Sequence, residues 1–203
     1  MRLFHHPLSS NARRAVMTAL HLKAKVDLVE IDLVKPSDRA LLQNLNPNSK
    51  VPVLDDDGFL LWESNAIMQY VADRTPGQTL FPTEARARAD VTRWQFWSAQ
   101  HFTPAIAIFN WQNFVKGMLG QGGPDPVELA RGERELAQFA SVLDGHLATR
   151  TWIVGKDLTL ADLSIAAPLM AIGPAKIPMG KYTNVLAWFD RVRELDAWKK
   201  TSL

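Results

Sequence analysis

The stretch from Asn46 to Ala66 places the strongest constraint on how this chain of 203 residues can fold. Two short apolar runs, Val53-Leu54 and Phe59-Leu60-Leu61-Trp62, flank the segment Asp55-Asp56-Asp57-Gly58. Because Asp-Gly between apolar runs is a strong signal for a tight turn, the stretch predicts a hairpin of two antiparallel strands. Apolar residues at helical spacing follow Ser64, which indicates that a helix begins there with Ser64 as its N-cap.

Pro52 stands at the first position of the first hairpin strand, where a proline is tolerated and often accompanies a special backbone geometry. A cis Val51-Pro52 bond is one such geometry, because X-Pro is the one link at which the cis form is cheap. The Val51 backbone N–H and C=O would then face outward and pair with an extended peptide as with an added strand. The helix start at Ser64 and the cation of Lys50 add two features that favour an anion. The alternative is an ordinary trans proline beside a hairpin and a helix cap.

The overall composition excludes several classes of protein. A formal charge of +2 at pH 7 is too small to indicate a nucleic-acid partner. No run of about 18 apolar residues predicts a membrane span, and no apolar segment after Met1 predicts a signal peptide, so we expect a cytoplasmic protein. The absence of cysteine excludes disulfides, thiolate metal sites and a cysteine nucleophile, so any thiol chemistry needs a thiol carried by a ligand. His5 and His6 point to opposite faces of a strand, and we therefore predict no metal site.

The first part of the chain predicts alternating strands and helices. In order, the patterns indicate a strand over Arg2–His6, a helix from Ala12, a strand over Val26–Val34, a short helix or loop over Asp38–Leu45, the hairpin, and a helix ending near Asp73. Two strands joined by a helix are expected to be parallel, with a right-handed crossover. Residues rich in helix breakers follow, so we predict a first domain over residues 1–76 and a linker over 77–83.

No convincing strand appears beyond the linker, so residues 84–203 predict an all-helical second domain. The expected helices are Glu84–Ile108 with an interruption at Pro104, a helix from Pro126 with the apolar stripe Leu136, Phe139, Ala140, Leu143 and Leu147, a helix over Leu160–Met170, and a last one over Val185–Val192. Asp125 is the predicted N-cap before Pro126, and Thr159-Leu160-Ala161-Asp162 matches the capping-box pattern. The helix after this box is apolar nearly all round and is therefore expected to be the buried centre of the domain.

Four short segments occur in a characteristic order along the chain: Asn46-Pro47 with Lys50-Val51-Pro52-Val53-Leu54, Trp62-Glu63-Ser64 with Ala66-Ile67, Leu80-Phe81-Pro82, and Leu158-Thr159-Leu160-Ala161-Asp162. With the predicted elements, they make the chain resemble the soluble glutathione transferase family over essentially its whole length. The resemblance implies a thioredoxin-like N-terminal domain and an all-helical C-terminal domain. It also implies a homodimer, a cis proline at Pro52, glutathione as co-substrate in the first domain, and an apolar acceptor site between the domains that takes small hydrophobic electrophiles in detoxification.

The resemblance carries over a set of glutathione-binding residues: Arg39, Lys50, Val51, Pro52, Glu63, Ser64 and Asn65. Val51 is expected to pair its backbone with the cysteinyl part, and Glu63 and Ser64 to hold the γ-glutamyl end at the helix N-terminus. Lys50 is placed to meet the glycyl carboxylate, and Arg39 aligns only loosely. Some members have an arginine where this chain has Asn65, which removes one cation and implies weaker γ-glutamyl binding.

The thiol-activating residue follows from the branch of the family that the chain matches. Tyr70 and Tyr182 lie at the wrong positions for the tyrosine branch, and the cysteine branch is excluded by composition. The serine branch, in its bacterial form, places a serine four residues before an arginine, as Ser9 and Arg13 are spaced. Ser9 is therefore the first candidate, Ser10 aligns with the cysteine of the cysteine branch, and Asn11 offers a further amide donor. The alternative is that one of these residues only caps the helix that follows.

A hydroxyl at this position has a clear chemical use. A free thiol with a pKa near 8.5 is mostly protonated at neutral pH. A hydrogen bond to a charged group is worth about 1.5–3 kcal/mol, which lowers the thiol pKa by roughly one to two units. The thiolate then predominates near neutral pH and attacks an electrophile.

The acceptor side of the site is predicted from Leu8 together with apolar and aromatic residues of one later helix: Trp97, His101, Phe102 and Ile106. The alternative is that this stripe belongs to the core. The leading hypothesis is a glutathione transferase. The alternatives are a glutathione-dependent disulfide or peroxide reductase, an isomerase, and a non-catalytic interaction module with the same fold.

Overall fold

The computed structural model describes residues 1–202 and divides them into two compact units. The first unit comprises Met1–Phe81 together with the C-terminal segment from Leu195, and the second comprises Pro82–Glu194. The predicted second domain, 84–203, differs from the second unit mainly at its end, because residues from Leu195 onward pack with the first unit. No helix within residues 1–202 is long and apolar enough to cross a membrane.

A four-stranded sheet forms the middle of the first unit, in the order β2-β1-β3-β4. Its strands are β1 (Arg2–His5), β2 (Asp27–Glu30), β3 (Val53–Asp56) and β4 (Phe59–Trp62). As predicted, β1 and β2 are parallel, and β3 and β4 form an antiparallel hairpin. β3 also pairs antiparallel with β1, with Val53 opposite Phe4.

The second strand is shorter than the prediction over Val26–Val34. The Asp32 carboxylate accepts hydrogen bonds from the N–H groups of Val34 (2.8 Å) and Lys35 (3.4 Å), which folds the chain into a turn soon after Glu30. Aspartate stabilises such turns by bonding to the backbone two residues ahead. The apolar side chains of Leu33 and Val34, which suggested a longer strand, are exposed.

Three helices cover the two faces of the sheet: α1 (Ser10–His21), α2 (Pro36–Leu45) and α3 (Ser64–Asp73). The region that the sequence left open as a helix or loop is thus a helix, with Pro36 in its first turn. The side chains that form the core of α1, α3 and one face of the sheet are Leu3, Ala15, Val16, Ala19, Leu54, Ile67 and Val71. The other face packs Phe4, Ile31, Leu42 and Val53 together beside α2. Adjacent strand residues thus alternate between the two layers, as strand geometry requires.

The second unit begins with a long interrupted helix. Its α-helical parts are α4 (Ala85–Trp97), α5 (Thr103–Phe109) and α6 (Lys116–Met118), separated by π-helical segments at Ser98–Phe102 and Asn110–Val115. The predicted interruption at Pro104 therefore appears as the π-helical segment just before it, because proline has no N–H to donate to the preceding turn. The helix continues to Met118, beyond the predicted end at Ile108.

The next helices confirm the cap predictions. α7 (Pro126–Leu147) has Asp125 as its N-cap, whose carboxylate accepts a hydrogen bond from Val127 N–H at 2.8 Å. Every residue of α8 (Leu160–Ala166) is buried, and its capping box is formed. A 3₁₀ turn, Ala167–Ala171, completes the helix predicted over Leu160–Met170.

Asp162 does more than close the capping box. One of its carboxylate oxygens, Oδ1, also accepts hydrogen bonds from Ile153 N–H and from Trp188 Nε1–H, both at 2.9 Å. Burial raises the pKa of this fully enclosed carboxyl, while the hydrogen bonds that it accepts act in the opposite direction. Asp162 thus joins α8 to α9 (Thr183–Arg193) and to the loop before α8.

A short C-terminal helix, α10 (Asp196–Lys199), was not predicted. It packs against α1 in the first unit. The Arg13 guanidinium donates from Nη2 to the Trp198 carbonyl (3.2 Å) and from Nε to Thr201 Oγ1, just after α10 (3.1 Å). The C-terminal segment is therefore attached to the helix that carries the predicted catalytic residues.

Candidate active site

Strand direction brings three separate segments of the first unit to one edge of the sheet. Because β3 is antiparallel to both β1 and β4, the end of β1, the start of β3 and the end of β4 lie side by side. The predicted residues Ser9, Val51 and Ser64 lie close to these strand ends in the sequence, Ser9 after β1, Val51 before β3 and Ser64 after β4. α1 and α3 pack together and both begin at this edge, so the positive ends of two helix dipoles face the same region.

The peptide bond between Val51 and Pro52 is cis, which confirms the prediction made from the position of this proline. Val51 precedes β3 and is partly exposed. Neither its N–H nor its C=O forms a backbone hydrogen bond to another residue in the range 1–202. Both groups are therefore available to the backbone of an extended peptide, the mode by which a sheet edge accepts an added strand.

The loop that leads to Val51 is organised by Asn46, which is buried. Its side-chain amide donates to the Lys50 carbonyl at 2.7 Å, and its Oδ1 accepts from Asn48 N–H at 2.9 Å. Sequence reasoning quoted Asn46 only as part of a motif and did not assign it this role. The loop leaves the side chain of Lys50 exposed.

Arg39, the loosely aligned candidate, lies on α2 and is exposed. It lines a cavity of about 520 Å³ that Ser49, the neighbour of Lys50, also lines. Leu33 and Leu42 contribute apolar walls to this cavity. The structure therefore brings Arg39 to the same loop region as Lys50, although the sequence offered little to align it.

The start of α3 differs from the prediction in one respect: Glu63, rather than Ser64, is the N-cap, and Ser64 is the first helical residue. Glu63 has a φ of 72°, which residues other than glycine rarely adopt. Its side chain makes no hydrogen bond to the helix, and the first turn carries no acidic residue. The N-cap side chain thus makes no bond to the amide N–H groups at the start of α3. Ser64 is buried beside them, and Asn65 is half-buried.

Ser9 is the N-cap of α1, and its Oγ accepts a hydrogen bond from Ala12 N–H at 3.2 Å. This bond uses Ser9 only as an acceptor, so the hydroxyl proton stays available for donation to a second group. The turn before it is fixed by His6, whose carbonyl accepts from Ser9 N–H (3.0 Å) and whose Nδ1 accepts from Leu8 N–H (3.2 Å). Ser10 is the first residue of α1 and Asn11 is exposed one position later.

Arg14 is a residue of this region that sequence reasoning missed. Its side chain is buried in α1, and burial lowers its pKa to about 10 while the nearby charge of Glu63 opposes that shift. A guanidinium therefore lies within electrostatic reach of the segment that starts α3. The available signal was the arginine pair within the otherwise apolar pattern of α1, because a helix buried on most sides must enclose one of them. Among residues 1–202, no group of His, Cys, Asp and Glu side chains is arranged to hold a metal ion.

The predicted acceptor residues separate into exposed and buried ones. Leu8 is exposed in the turn before α1, and His101 is exposed with its ring 5.0 Å from that of Phe139. Trp97 is half-buried and stacks on Phe102 at 5.5 Å. Phe102 and Ile106 are fully buried, so the structure assigns these two side chains to the core and corrects their place in an open acceptor surface. Helical spacing alone did not distinguish a core stripe from a binding surface.

Comparison with known proteins agrees with this architecture. The family model "Glutathione S-transferase, N-terminal domain" matches residues 1–73, and "Glutathione S-transferase, C-terminal domain" matches residues 105–196. These matches confirm a thioredoxin-like N-terminal domain followed by a helical C-terminal domain.

Full-length relatives align over nearly the whole chain. Glutathione S-transferase 3 of Zea mays is 31% identical, and the alignment covers 99% of this chain and 92% of the relative. The solved structure of a glutathione S-transferase from Xanthobacter autotrophicus Py2 is 30% identical, with a TM-score of 0.82 over 97% of this chain and 94% of that one. Apo glutathione S-transferase III superimposes with a TM-score of 0.85 at 28% identity, over 98% of this chain and 94% of that one. The chain therefore belongs to the glutathione S-transferase family, whose enzymes use glutathione as co-substrate.

Proposed function

We propose that this protein is a bacterial, serine-type glutathione transferase that conjugates glutathione to small hydrophobic electrophiles, with Ser9 as the hydroxyl that stabilises the thiolate. The observation that carries the proposal is the position of Ser9. Its hydroxyl stands at the N-terminus of α1, on the same sheet edge as the unpaired backbone of Val51 and the start of α3.

The residues at this edge fit glutathione, a tripeptide with carboxylates at both ends. The unpaired N–H and C=O of Val51 suit its cysteinyl backbone. The first turn of α3 suits the γ-glutamyl carboxylate, since helix N-termini bind anions through free amides and the dipole. The exposed cation of Lys50, with Arg39 in the neighbouring cavity wall, suits the glycyl carboxylate.

The unusual backbone of Glu63 supports the assignment of the γ-glutamyl end. A non-glycine residue at positive φ costs on the order of 1–3 kcal/mol, and such positions concentrate at ligand-binding sites. The Glu63 carboxylate makes no cap bond to α3, and a carboxylate is a suitable acceptor for the γ-glutamyl ammonium group. Asn65 offers no cation there, so we expect γ-glutamyl binding to depend on Glu63 and Ser64.

Glutathione supplies the thiol, and the role of this chain is to hold that thiol in its ionised form. Ser9 donates its hydroxyl proton in a hydrogen bond to the sulfur while Ala12 N–H continues to donate to Ser9 Oγ. A hydrogen bond to a charged acceptor is worth about 1.5–3 kcal/mol, or roughly one to two units of thiol pKa. The dipole of α1 acts in the same direction, because no acidic residue in its first turn offsets it.

Ser9→Gly tests the proposal better than Ser9→Ala. Glycine replaces serine at an N-cap at a cost of only a few tenths of a kcal/mol, whereas alanine costs about 1 kcal/mol, so Ser9→Gly removes the hydroxyl with little loss of capping. We expect the pKa of bound glutathione, followed by thiolate absorbance across pH, to rise by about one unit or more. Turnover at neutral pH should fall by roughly tenfold.

Ser9→Thr is the matched control, since threonine keeps both the hydroxyl and the cap. It should hold the thiol pKa near that of the wild type. An unchanged pKa and turnover in Ser9→Gly would contradict the role of Ser9 and transfer it to Ser10 or Asn11.

The acceptor side is proposed from the residues that are not enclosed. In the first unit, Leu8 is exposed and remains an acceptor candidate. In the second unit, Trp97 and His101 remain candidates, since one is half-buried and the other exposed.

We further propose that the protein acts as a cytoplasmic homodimer in detoxification. The edge strand β4 supports an assembly, because Phe59, Leu60 and Trp62 are all exposed on it. Monomeric proteins rarely leave several large apolar side chains exposed together. Sedimentation at micromolar concentration tests this assembly, and a monomeric mass would contradict it.

A further inference from the structure

The Arg13 side chain on α1 contacts the C-terminal segment at two residues, Trp198 and Thr201. The Arg13 guanidinium lies 3.8 Å from the centre of the Trp198 ring, and its two donor bonds reach the Trp198 carbonyl and Thr201 Oγ1. Arg13 and Trp198 are both buried, so the ring contact and the bond to the Trp198 carbonyl are shielded from water. The face of the planar guanidinium stacks on the ring, while its N–H groups donate hydrogen bonds in the guanidinium plane. Lysine has neither of these geometric features.

The same arginine is bonded through its backbone to the proposed catalytic turn. Arg13 N–H donates to the Ser9 carbonyl at 2.8 Å, so Arg13 closes the first turn of α1. Ser9 in turn receives Ala12 N–H on its side chain. A shift of Arg13 therefore moves the backbone of Ser9, and with it the direction of the Ser9 hydroxyl.

We propose that the C-terminal segment Leu195–Ser202 positions the thiolate-stabilising turn of α1 through Arg13. Arg13 is a positioning residue here, since its side chain is occupied by Trp198 and Thr201. The inference rests on the proposed function, because it assumes that a hydrogen-bond donor in the first turn of α1 stabilises the thiolate. It holds whether that donor is Ser9, Ser10 or Asn11. It assigns the last residues of the chain a role in catalysis in addition to packing.

Two variants loosen the contact to different degrees. Arg13→Lys keeps the charge but loses the planar stack and one of the two donor directions. Thr201→Val keeps the shape of the side chain but removes the acceptor for Arg13 Nε. Because misplacement of a catalytic group by about 1 Å can cost up to roughly 100-fold in rate, we expect kcat to fall by about three- to tenfold. The bound thiol pKa should rise by about half a unit or more.

Glutathione affinity should change little in both variants, because Lys50, Val51 and Ser64 lie on other segments. A dissociation constant within about twofold of wild type, measured by calorimetry, would show this separation of kcat from binding. Thr201→Ser keeps the acceptor and Lys200→Gln changes an exposed residue of the same segment, so both controls should match the wild type.

The thiol pKa separates a positioning role from a purely structural one. If Arg13→Lys and Thr201→Val lower only the urea midpoint and leave the bound thiol pKa unshifted, the inference is refuted.

Ser9→Gly, measured in parallel, distinguishes the positioning role of Arg13 from the proposed role of Ser9. A shift in Ser9→Gly with none in the Arg13 and Thr201 variants would refute this inference alone. A shift in the Arg13 and Thr201 variants with none in Ser9→Gly would uphold it and assign the hydrogen bond to Ser10 or Asn11. No shift in any variant would overturn both.

Discussion

Asn46 gives the sharpest test of how this chain would hold the proposed glutathione site in its binding form. Its side chain donates to the Lys50 carbonyl and accepts from Asn48 N–H, so it ties both ends of the loop that carries Lys50 and precedes Val51. Each bond contributes about 0.5–1.5 kcal/mol net, so Asn46→Ala removes about 1–3 kcal/mol of the free energy that stabilises the ordered conformation of the loop. If the ordered loop is the form that binds, this loss weakens glutathione affinity by roughly tenfold, since each 1.4 kcal/mol is a factor of ten.

Calorimetric titration of glutathione into Asn46→Ala measures this effect directly. Asn44→Ala is the matched control, because Asn44 is exposed near the end of α2. At saturating glutathione the thiol pKa of Asn46→Ala should equal that of the wild type, since Ser9 lies on a different segment. Asn46→Asp should bind at least as poorly as the alanine variant, because it points a carboxylate at the Lys50 carbonyl. Affinity of Asn46→Ala within about twofold of wild type would refute the argument that this loop must be held in place.

Two further predictions concern stability. Asp162→Ala leaves the Ile153 N–H and the Trp188 indole N–H buried without an acceptor, at about 1–3 kcal/mol each. Urea denaturation should therefore show a loss of at least about 2 kcal/mol in the free energy of unfolding, and a loss below about 1 kcal/mol would contradict the reasoning. The pKa of Asp55 is lowered in the folded protein by the hydrogen bond from Gly58 N–H and by Arg2. The ionised carboxylate therefore stabilises the fold above its unfolded pKa near 4, and this stabilisation is lost as the pH falls through the lower pKa of the folded state. The free energy of unfolding of the wild type should therefore exceed that of Asp55→Asn at neutral pH, and the difference should shrink below about pH 4; a difference independent of pH would show that the carboxylate charge is not its source.

Features with a local cause were predictable from the sequence. The hairpin follows from Asp57-Gly58, where both residues adopt positive φ, and the capping box follows from the spacing of Thr159 and Asp162. In each case the residues that interact lie within a few positions of one another. The meeting of Ser9 with Val51 and Ser64 also depends on the pairing of β1 with β3, which joins the two predicted strand pairs and which no local signal in the sequence indicated.

Features with a distant cause were not predictable in the same way. Arg13 meets its partner Trp198 at a sequence separation of 185 residues, and nothing near Arg13 signals that contact. The left-handed backbone of Glu63 is likewise imposed by its surroundings, since glutamate has no intrinsic preference for positive φ. Phe102 and Ile106 share the spacing of a binding stripe, and only their burial shows that they belong to the core.

The two neighbouring arginines explain why α1 is a suitable helix to carry the proposed thiolate-stabilising residue. Successive helical residues point about 100° apart, so Arg13 and Arg14 leave the helix in different directions. Arg13 meets the C-terminal segment, and Arg14 lies within electrostatic reach of Glu63 at the start of α3. The sheet and α3 pack against a third side of α1, through Ala15 and its apolar neighbours. A hydroxyl lowers a thiol pKa effectively only if it is already in place when the charge forms, and a helix held on several sides supplies that condition.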